Sequence, residues 1–586
     1  MKNKKRRLLM LKKKIKMRHI IFYFVIALST SVFGQGEPDI IWSGKAMREV
    51  EPAYRITEHP KIIDTVISTS IIDYPTLVLQ HATSIKLDNI NAASIKTEPK
   101  LTQFYQSYLK LGIGTELMPL GEFYFNSKRS RKYVYGAHVT HLSSFGNFDN
   151  YAPAQFDRTG VALTGAIHEK KYTVNGNLFY NNQGFHYYGW QIPTDSVDRS
   201  TIAQRFQDIG GGVKYAIHGK DSATLNYTVG LDYANFSTKK PLVDSLSDWR
   251  TKENYFALYG TGTYKKGREI FAADLSVRHN SYNYGKEFDT INGYGNGIAL
   301  ANTLVNLSPS ITTFLKNNRI KAKFGLDIAL EALNGTRIHI YPAIEAKYPL
   351  FNDIIIPYAG LRGGIKQQTF KSLARVNEFI LPNIQLLNEK TPIDFYFGFK
   401  GTLTKQLSFN ASASFAKIQN KALFVSDTTY SVGNKFDVIY DTLTLSTFEG
   451  SLSYQQNEKL KIDGIGRIYS YQLQNQIYAW NLPTWQVILR GSYNLYDKFL
   501  INLDVNFEGG RNAKVYQKDV ETIVENNQFA QPLQFITDIN LGVEYRYSKR
   551  ISAFIQFNNI ASQRYYRWYK TPVQIFQVMG GITARF

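Results

Sequence analysis

The chain has 586 residues, with 40 Tyr, 37 Phe and 6 Trp, no Cys, a mean hydropathy of −0.28 and a formal net charge of +22. Without cysteine there is no disulfide framework, no thiolate metal site and no cysteine nucleophile. No apolar run approaches the ~18 residues of a membrane-spanning helix, although slight hydrophilicity is compatible with a barrel, in which half of each strand faces a polar lumen.

Ten basic residues and no acid among residues 1 to 18 account for +10 of the charge, leaving +12 for the rest. This basic run precedes IIFYFVIAL (20–28) and then STSVFGQ. A basic region, a short apolar core and small residues form the pattern of a secretory signal peptide, with cleavage expected between Gly34 and Gln35. No Cys follows the apolar core, so a lipid anchor is not expected there. Met17 would itself open a compact signal peptide, and the true start is either Met1 or Met17. Residues 35 to 104 contain Pro38, Pro52, Pro60, Pro75 and Pro99 and only short apolar runs. They read as a partly irregular N-terminal periplasmic segment.

From residue 105 to 586 the apolar residues recur with period two, the spacing of strands and not of helices. In FITDINLGVEYRY (535–547), Phe535, Thr537, Ile539, Leu541, Val543 and Tyr545 share one parity. Asp538, Asn540, Gly542, Glu544 and Arg546 share the other. KFLINLDVNFEGG behaves alike, with Asp504 and Asn506 opposite Leu503, Val505 and Phe507. Short polar turns punctuate the pattern at SKRSR (127–131), HEKK (168–171), GKDS, KKGR, KNNR, FND, TKQL, QNEK, YDK and SKR (548–550). Longer connections alternate with them, among them SLARVNEFILPNIQLLNEKTP (372–392). Ten short turns imply ten strand pairs, and one more strand at each end gives about 22.

The fold class expected is therefore all-β: a large antiparallel transmembrane β-barrel of about 22 strands with a short N-terminal periplasmic segment. A secreted soluble β-protein is the competing fold. In the barrel, Asp504, Asn506, Asp538, Asn540, Glu544 and Arg546 are expected to face the lumen, and the apolar parity outer-membrane lipid. Aromatic clusters near strand ends (Tyr187, Tyr188 and Trp190; Tyr282 and Tyr284; Tyr565, Tyr566, Trp568 and Tyr569) are read as an interfacial girdle rather than as core or loop aromatics. The last strand carries Phe576, Val578, Gly580, Ile582, Ala584 and Phe586 on one parity. A strand ending in Phe resembles the signal read by the outer-membrane barrel-assembly machinery, which is then a partner during biogenesis.

FIQFNNIASQRYYRWYKTPVQIFQVMGGITARF resembles the last two strands of TonB-dependent receptor barrels, through Asn558-Asn559-Ile560, Tyr565-Tyr566, Pro572, Phe576 and Phe586. FYNNQGFHYYGW (179–190) and residues 338–364 are similar to hairpins of that class. The resemblance covers roughly residues 105 to 586. It implies a 22-stranded barrel, location in the outer membrane and receptor or transport activity. The family also carries an N-terminal plug. Here residues 35 to 104 are too few for one and show no glycine-rich plug pattern. IIDTVIST (62–69) resembles, over a few residues, the segment by which the family engages TonB, and an ordinary edge strand is the preferred reading.

His138 and His141 are three apart on a strand and point to opposite faces, a poor metal pair. GYGNG (293–297) lies in a loop with no strand-to-helix pattern, and no G-x-S-x-G or H-E-x-x-H occurs. Asp437 and Asp441 flank VIY with no calcium-loop glycine between them. Neither an enzyme nor a cofactor is expected. The +12 is spread through turns and lumen-facing positions, which suits solvated turns and anionic lipid headgroups better than nucleic acid. Three roles remain open: a receptor or transporter closed by its N-terminal segment or a protein partner, a passive porin, and a structural subunit of an outer-membrane assembly.

Overall fold

The computed structural model describes residues 105–189, 197–217, 225–239, 250–284, 298–315, 319–351, 354–515 and 529–586. The signal peptide, the segment 35–104 with IIDTVIST, Trp190 and GYGNG lie outside the described residues. Twenty-two strands form one antiparallel sheet. They are β1 (Ser107–Gly114), β2 (Met118–Asn126), β3 (Tyr133–Ser144), β4 (Phe156–His168), β5 (Tyr172–His186), β6 (Ala203–Ile217), β7 (Asn226–Thr238), β8 (Thr251–Lys266), β9 (Glu269–Tyr284), β10 (Ile298–Leu315) and β11 (Ile320–Ala332). Then come β12 (Thr336–Lys347), β13 (Ile356–Lys366), β14 (Glu389–Thr402), β15 (Leu407–Ser426), β16 (Phe436–Gln456), β17 (Leu460–Leu473), β18 (Trp485–Leu495) and β19 (Phe499–Gly509). The hairpin β20 (Asn512–Val515) and β21 (Phe529–Pro532) stands apart. The sheet resumes with β22 (Ile536–Arg546) and β23 (Ile551–Asn558), leaves a second small hairpin, β24 (Tyr566–Trp568) and β25 (Thr571–Pro572), and ends with β26 (Gln577–Arg585).

Each barrel strand pairs with its neighbour, and β26 returns to β1 with Leu111 opposite Ile582. Ser107 N donates to Phe586 O at 2.8 Å and Phe586 N to Ser107 O at 3.0 Å, so the sheet is closed and has no edge. The seam is braced by a ring. Phe554 on β23 lies against Gly112 and Gly581, which face each other across β1 and β26. A Cβ at Gly112 would fall 2.8 Å from the Phe554 Cζ, and one at Gly581 2.7 Å from its Cε1, so the ring occupies the space that glycine leaves.

Directly opposed residues of an antiparallel pair share a face. The row Phe397, Ala413, Phe448, Ile468 and Trp485 runs unbroken through β14 to β18. Its Phe448 and Ile468 are 48% and 60% exposed, an apolar face with no protein over it. The neighbouring row on the other face is Ser412, Glu449, Arg467, Gln486 and Glu508. Arg467 Nε donates to Glu449 Oε2 at 2.7 Å. An exposed apolar outside and a paired, charged inside is the arrangement of a membrane barrel, the reverse of a soluble sandwich.

One end of the barrel carries the short turns expected from sequence, of which GKDS and parts of KNNR and FND lie outside the described residues. Large apolar side chains stand free there, including Tyr496, Tyr547 and Phe351. The other end carries the long connections, with two exceptions. Thr115 to Leu117 suffice between β1 and β2, and Leu333 to Gly335 between β11 and β12. The latter turns on Asn334 (φ 53°) and Gly335 (φ 113°), left-handed positions that Asn and Gly tolerate best.

The expected aromatic girdle is corrected. Tyr187, Tyr282, Tyr284 and Trp568 are buried in one protein core with Phe370 and Phe436, and Tyr565 packs with Ile536 and Val573. Tyr282 and Tyr284 sit on the polar parity of β9, beside Asn280, so they point into the barrel and away from lipid.

Candidate functional site

The core that captures these aromatics is built by residues 367–388, the connection between β13 and β14. Its sequence, QQTFKSLARVNEFILPNIQLLN, is too apolar to stand in water. TFKSLARV places Phe370, Leu373 and Ala374 on one helical face. They form α1 (Phe370–Val376), with Thr369 as N-cap. Thr369 Oγ1 accepts from Ser372 N at 3.0 Å and Ser372 Oγ from Thr369 N at 2.9 Å, a reciprocal capping box. After Asn377 the chain extends. Ile380 forms a parallel bridge with Phe436, and Leu381 N donates to Phe436 O at 2.8 Å. Pro382 prevents the helix from resuming.

This segment crosses the interior. Phe370 meets Phe206 of β6 (ring centroids 6.2 Å) and Tyr282 of β9 (5.9 Å). Phe379 meets Phe185 of β5 (5.8 Å) and Tyr188 (5.5 Å). Trp568 of β24 packs on Phe424 and Phe436 in the same core. In a closed ring, a loop rooted between β13 and β14 can reach β5, β6 and β9 only through the mouth. Phe370, Ile380, Leu381, Ile384 and Leu386 are all fully buried. Each contributes on the order of 2 kcal/mol by burial.

Polar contacts tie the loop to the wall on several sides. Lys371 Nζ lies 2.6 Å from Asp208 Oδ1 on β6, and Arg375 Nη2 lies 3.4 Å from Asp208 Oδ2. Burial pushes the Lys371 ammonium below its usual range, and the Asp208 charge opposes the shift. Glu253 of β8 accepts from Phe370 N at 2.6 Å. Glu378 is held by Arg158 of β4 at 3.2 Å and by the Gln183 amide of β5. Pro382 O accepts from Thr251 Oγ1 at 2.7 Å and from Tyr282 OH at 2.6 Å. At the end of the loop, buried Asn388 donates to Glu331 Oε1 at 2.9 Å and exchanges hydrogen bonds with Asn302.

The polar residues picked from sequence lie on β19 and β22, in contacts separate from those of the loop. On β19 and β22, Asp504 opposes Asn540 and Asn506 opposes Asp538. Asp504 pairs with Arg490 at 3.1 Å, and Asn506 accepts from Gln486 at 3.2 Å. Asp538 accepts from Tyr565 OH at 3.1 Å, and Asn540 from Asn559 N at 3.0 Å. Glu544 pairs with Arg585 at 3.3 Å, and Arg546 lies 3.9 Å from Asp497. On β26 and its flanks, Phe576, Ile582 and Phe586 are exposed and Val578, Gly580 and Ala584 half-buried, while Met579, Thr583 and Arg585 of the other parity are buried.

His138 stacks on Tyr124 (3.8 Å) and His141 Nδ1 lies 2.8 Å from Thr159 Oγ1, on opposite faces of β3. Among the described residues no group of three or more His, Asp or Glu could hold a metal ion. Sequence reasoning missed the 367–388 loop as a site. The signal was present in a capped helix followed by FILPNIQLL, an apolar run inside a connection.

No family model matches the chain, and no curated protein matches its sequence. Solved structures do match its fold. The FrpB iron transporter from Neisseria meningitidis aligns with a TM-score of 0.63 at 9% identity, covering 83% of this chain and 82% of that one. The siderophore receptor PirA from Acinetobacter baumannii aligns at 0.63 and 10%, covering 83% and 81%. The pyoverdine outer-membrane receptor FpvA from Pseudomonas aeruginosa PAO1 aligns at 0.59 and 14%, covering 83% and 79%. The fold is the 22-stranded barrel of the TonB-dependent receptors.

Proposed function

We propose that this barrel resides in the outer membrane as a receptor or transport protein for a ligand still to be identified, with its lumen closed in the resting state. The observation that carries this reading is the closed 22-stranded sheet with a bare apolar exterior, the architecture shared with receptors and transporters. In this reading Asp504, Asn506, Asp538, Asn540, Glu544 and Arg546 line the lumen, where water and counter-charges solvate them. Phe576, Val578, Gly580, Ile582, Ala584 and Phe586 carry the recognition signal for barrel assembly. In this reading the N-terminal segment 35–104 or a partner protein contributes to closure.

Planar-bilayer conductance of the refolded mature protein tests the proposal, with folding verified by a heat-induced mobility shift in detergent gels. A receptor of this kind is folded and silent. Large, stable conductance steps would make the protein a passive porin instead.

A further inference from the structure

We infer that loop 367–388 is a built-in strap that shuts the long-loop mouth of the barrel from within. The inference does not depend on the receptor reading, because a porin carrying the same strap would be shut in the same way. Three independent kinds of contact carry it. The first is reach: the loop starts beside β13, touches the walls of β5, β6 and β9, and shares one core with Trp568 of the β24 hairpin. The second is apolar cover. Phe370, Ile380, Leu381, Ile384 and Leu386 are sealed from water by side chains of the wall, so lifting the strap exposes them all at once.

The third is charge. One wall carboxylate, Asp208, takes both strap cations, Lys371 and Arg375, while wall Arg158 takes the strap carboxylate Glu378. Strap and wall are therefore complementary in both signs, which fixes the position and register of the strap as well as its affinity for the wall. A segment held by a buried apolar face and crossed ion pairs opens as a unit, so the mouth has two states rather than a graded width. Opening requires something that covers the apolar face or competes for Asp208 and Arg158.

The absence of native cysteine makes this directly measurable. Ser276 lies on the Tyr282 parity of β9, six positions nearer the short turn, hence on the wall beneath the strap. Ser276→Cys is expressed in intact cells and treated from outside with a bulky, membrane-impermeant maleimide. The same variant is then made with residues 371–386 replaced by a short Gly/Ser linker, and separately with Asp208→Asn. The heat shift confirms that each is folded, and a small thiol reagent confirms that the introduced thiol is reactive in each. Labelling should be slow with the strap intact and about a hundred-fold faster or more without it, with Asp208→Asn in between, since the rate follows the open population. Fast labelling with the strap in place, or slow labelling once it is gone, would overturn the inference.

Discussion

The Lys371 ammonium stands 2.6 Å from the Asp208 carboxylate and 5.2 Å from the centre of the Phe179 ring. It joins a loop rooted at β13 to the wall of β5 and β6, with β7 to β12 between them around the ring. Asp208→Asn keeps the shape and removes the charge that holds Lys371 and Arg375. The loss, ~2 kcal/mol, falls between an exposed and a fully buried pair. Trypsin added outside should then cleave after Lys371 or Arg375 roughly 30-fold faster than in the parent, while the barrel keeps its heat shift. Equal cleavage rates would mean that Asp208 does not hold the strap.

Asn388 closes a buried network with Asn302 and Glu331 at the foot of the strap. Asn388→Ala leaves both partners short of a hydrogen bond, an expected cost of about 1–3 kcal/mol. Urea titration followed by near-ultraviolet circular dichroism should show the midpoint falling accordingly. Asn388→Asp should be worse than alanine, because it sets a second carboxylate against Glu331.

Phe554 fills the space above Gly112 and Gly581 at the closing seam. Phe554→Ala opens a cavity there and is expected to cost about 3 kcal/mol. Gly581→Val should cost at least as much, since its side chain would meet the same ring and the β1 backbone. Both should lower the temperature of the gel-mobility transition. Phe448→Ala, on the exposed apolar face, should lower it much less.

Removal of Phe586 takes away its backbone hydrogen bonds to Ser107 and the last residue of the proposed assembly signal. In cells, the heat-modifiable fraction should fall while unfolded precursor accumulates. Refolding of purified protein in detergent should be less affected. A uniform loss in both settings would point to a purely structural role for Phe586.

The barrel was legible in the chain because a strand exposed to two solvents must alternate. Ile539, Leu541 and Val543 against Asp538, Asn540 and Glu544 leave little choice of period. The short turns were legible for a related reason: polar residues must interrupt the alternation where the chain reverses. The strap was not legible by that route, since counting strands treats a long connection as filler. Its helix announces itself only through the Thr369 cap and the spacing of Phe370, Leu373 and Ala374. The aromatics were misplaced through neglect of parity. Tyr282 and Tyr284 alternate in step with Asn280, which assigns them to the interior whatever their position along the strand. The free aromatics at the short-turn end, Tyr496 and Tyr547, lie in or beside turns, where no period points to a face.

The central claim is that one face of this sheet meets lipid and the other a polar interior, and β17 tests it most directly. Single cysteines from residue 461 to 468 would carry nitroxide labels in bilayers. Each site would be scored for collision with lipid-dissolved oxygen and with a water-soluble nickel complex. Labels at Ile462, Gly464, Gly466 and Ile468 should favour oxygen, and those at Lys461, Asp463, Ile465 and Arg467 the nickel complex, with a period of two. Uniform access of the nickel complex to the first set would contradict the membrane barrel.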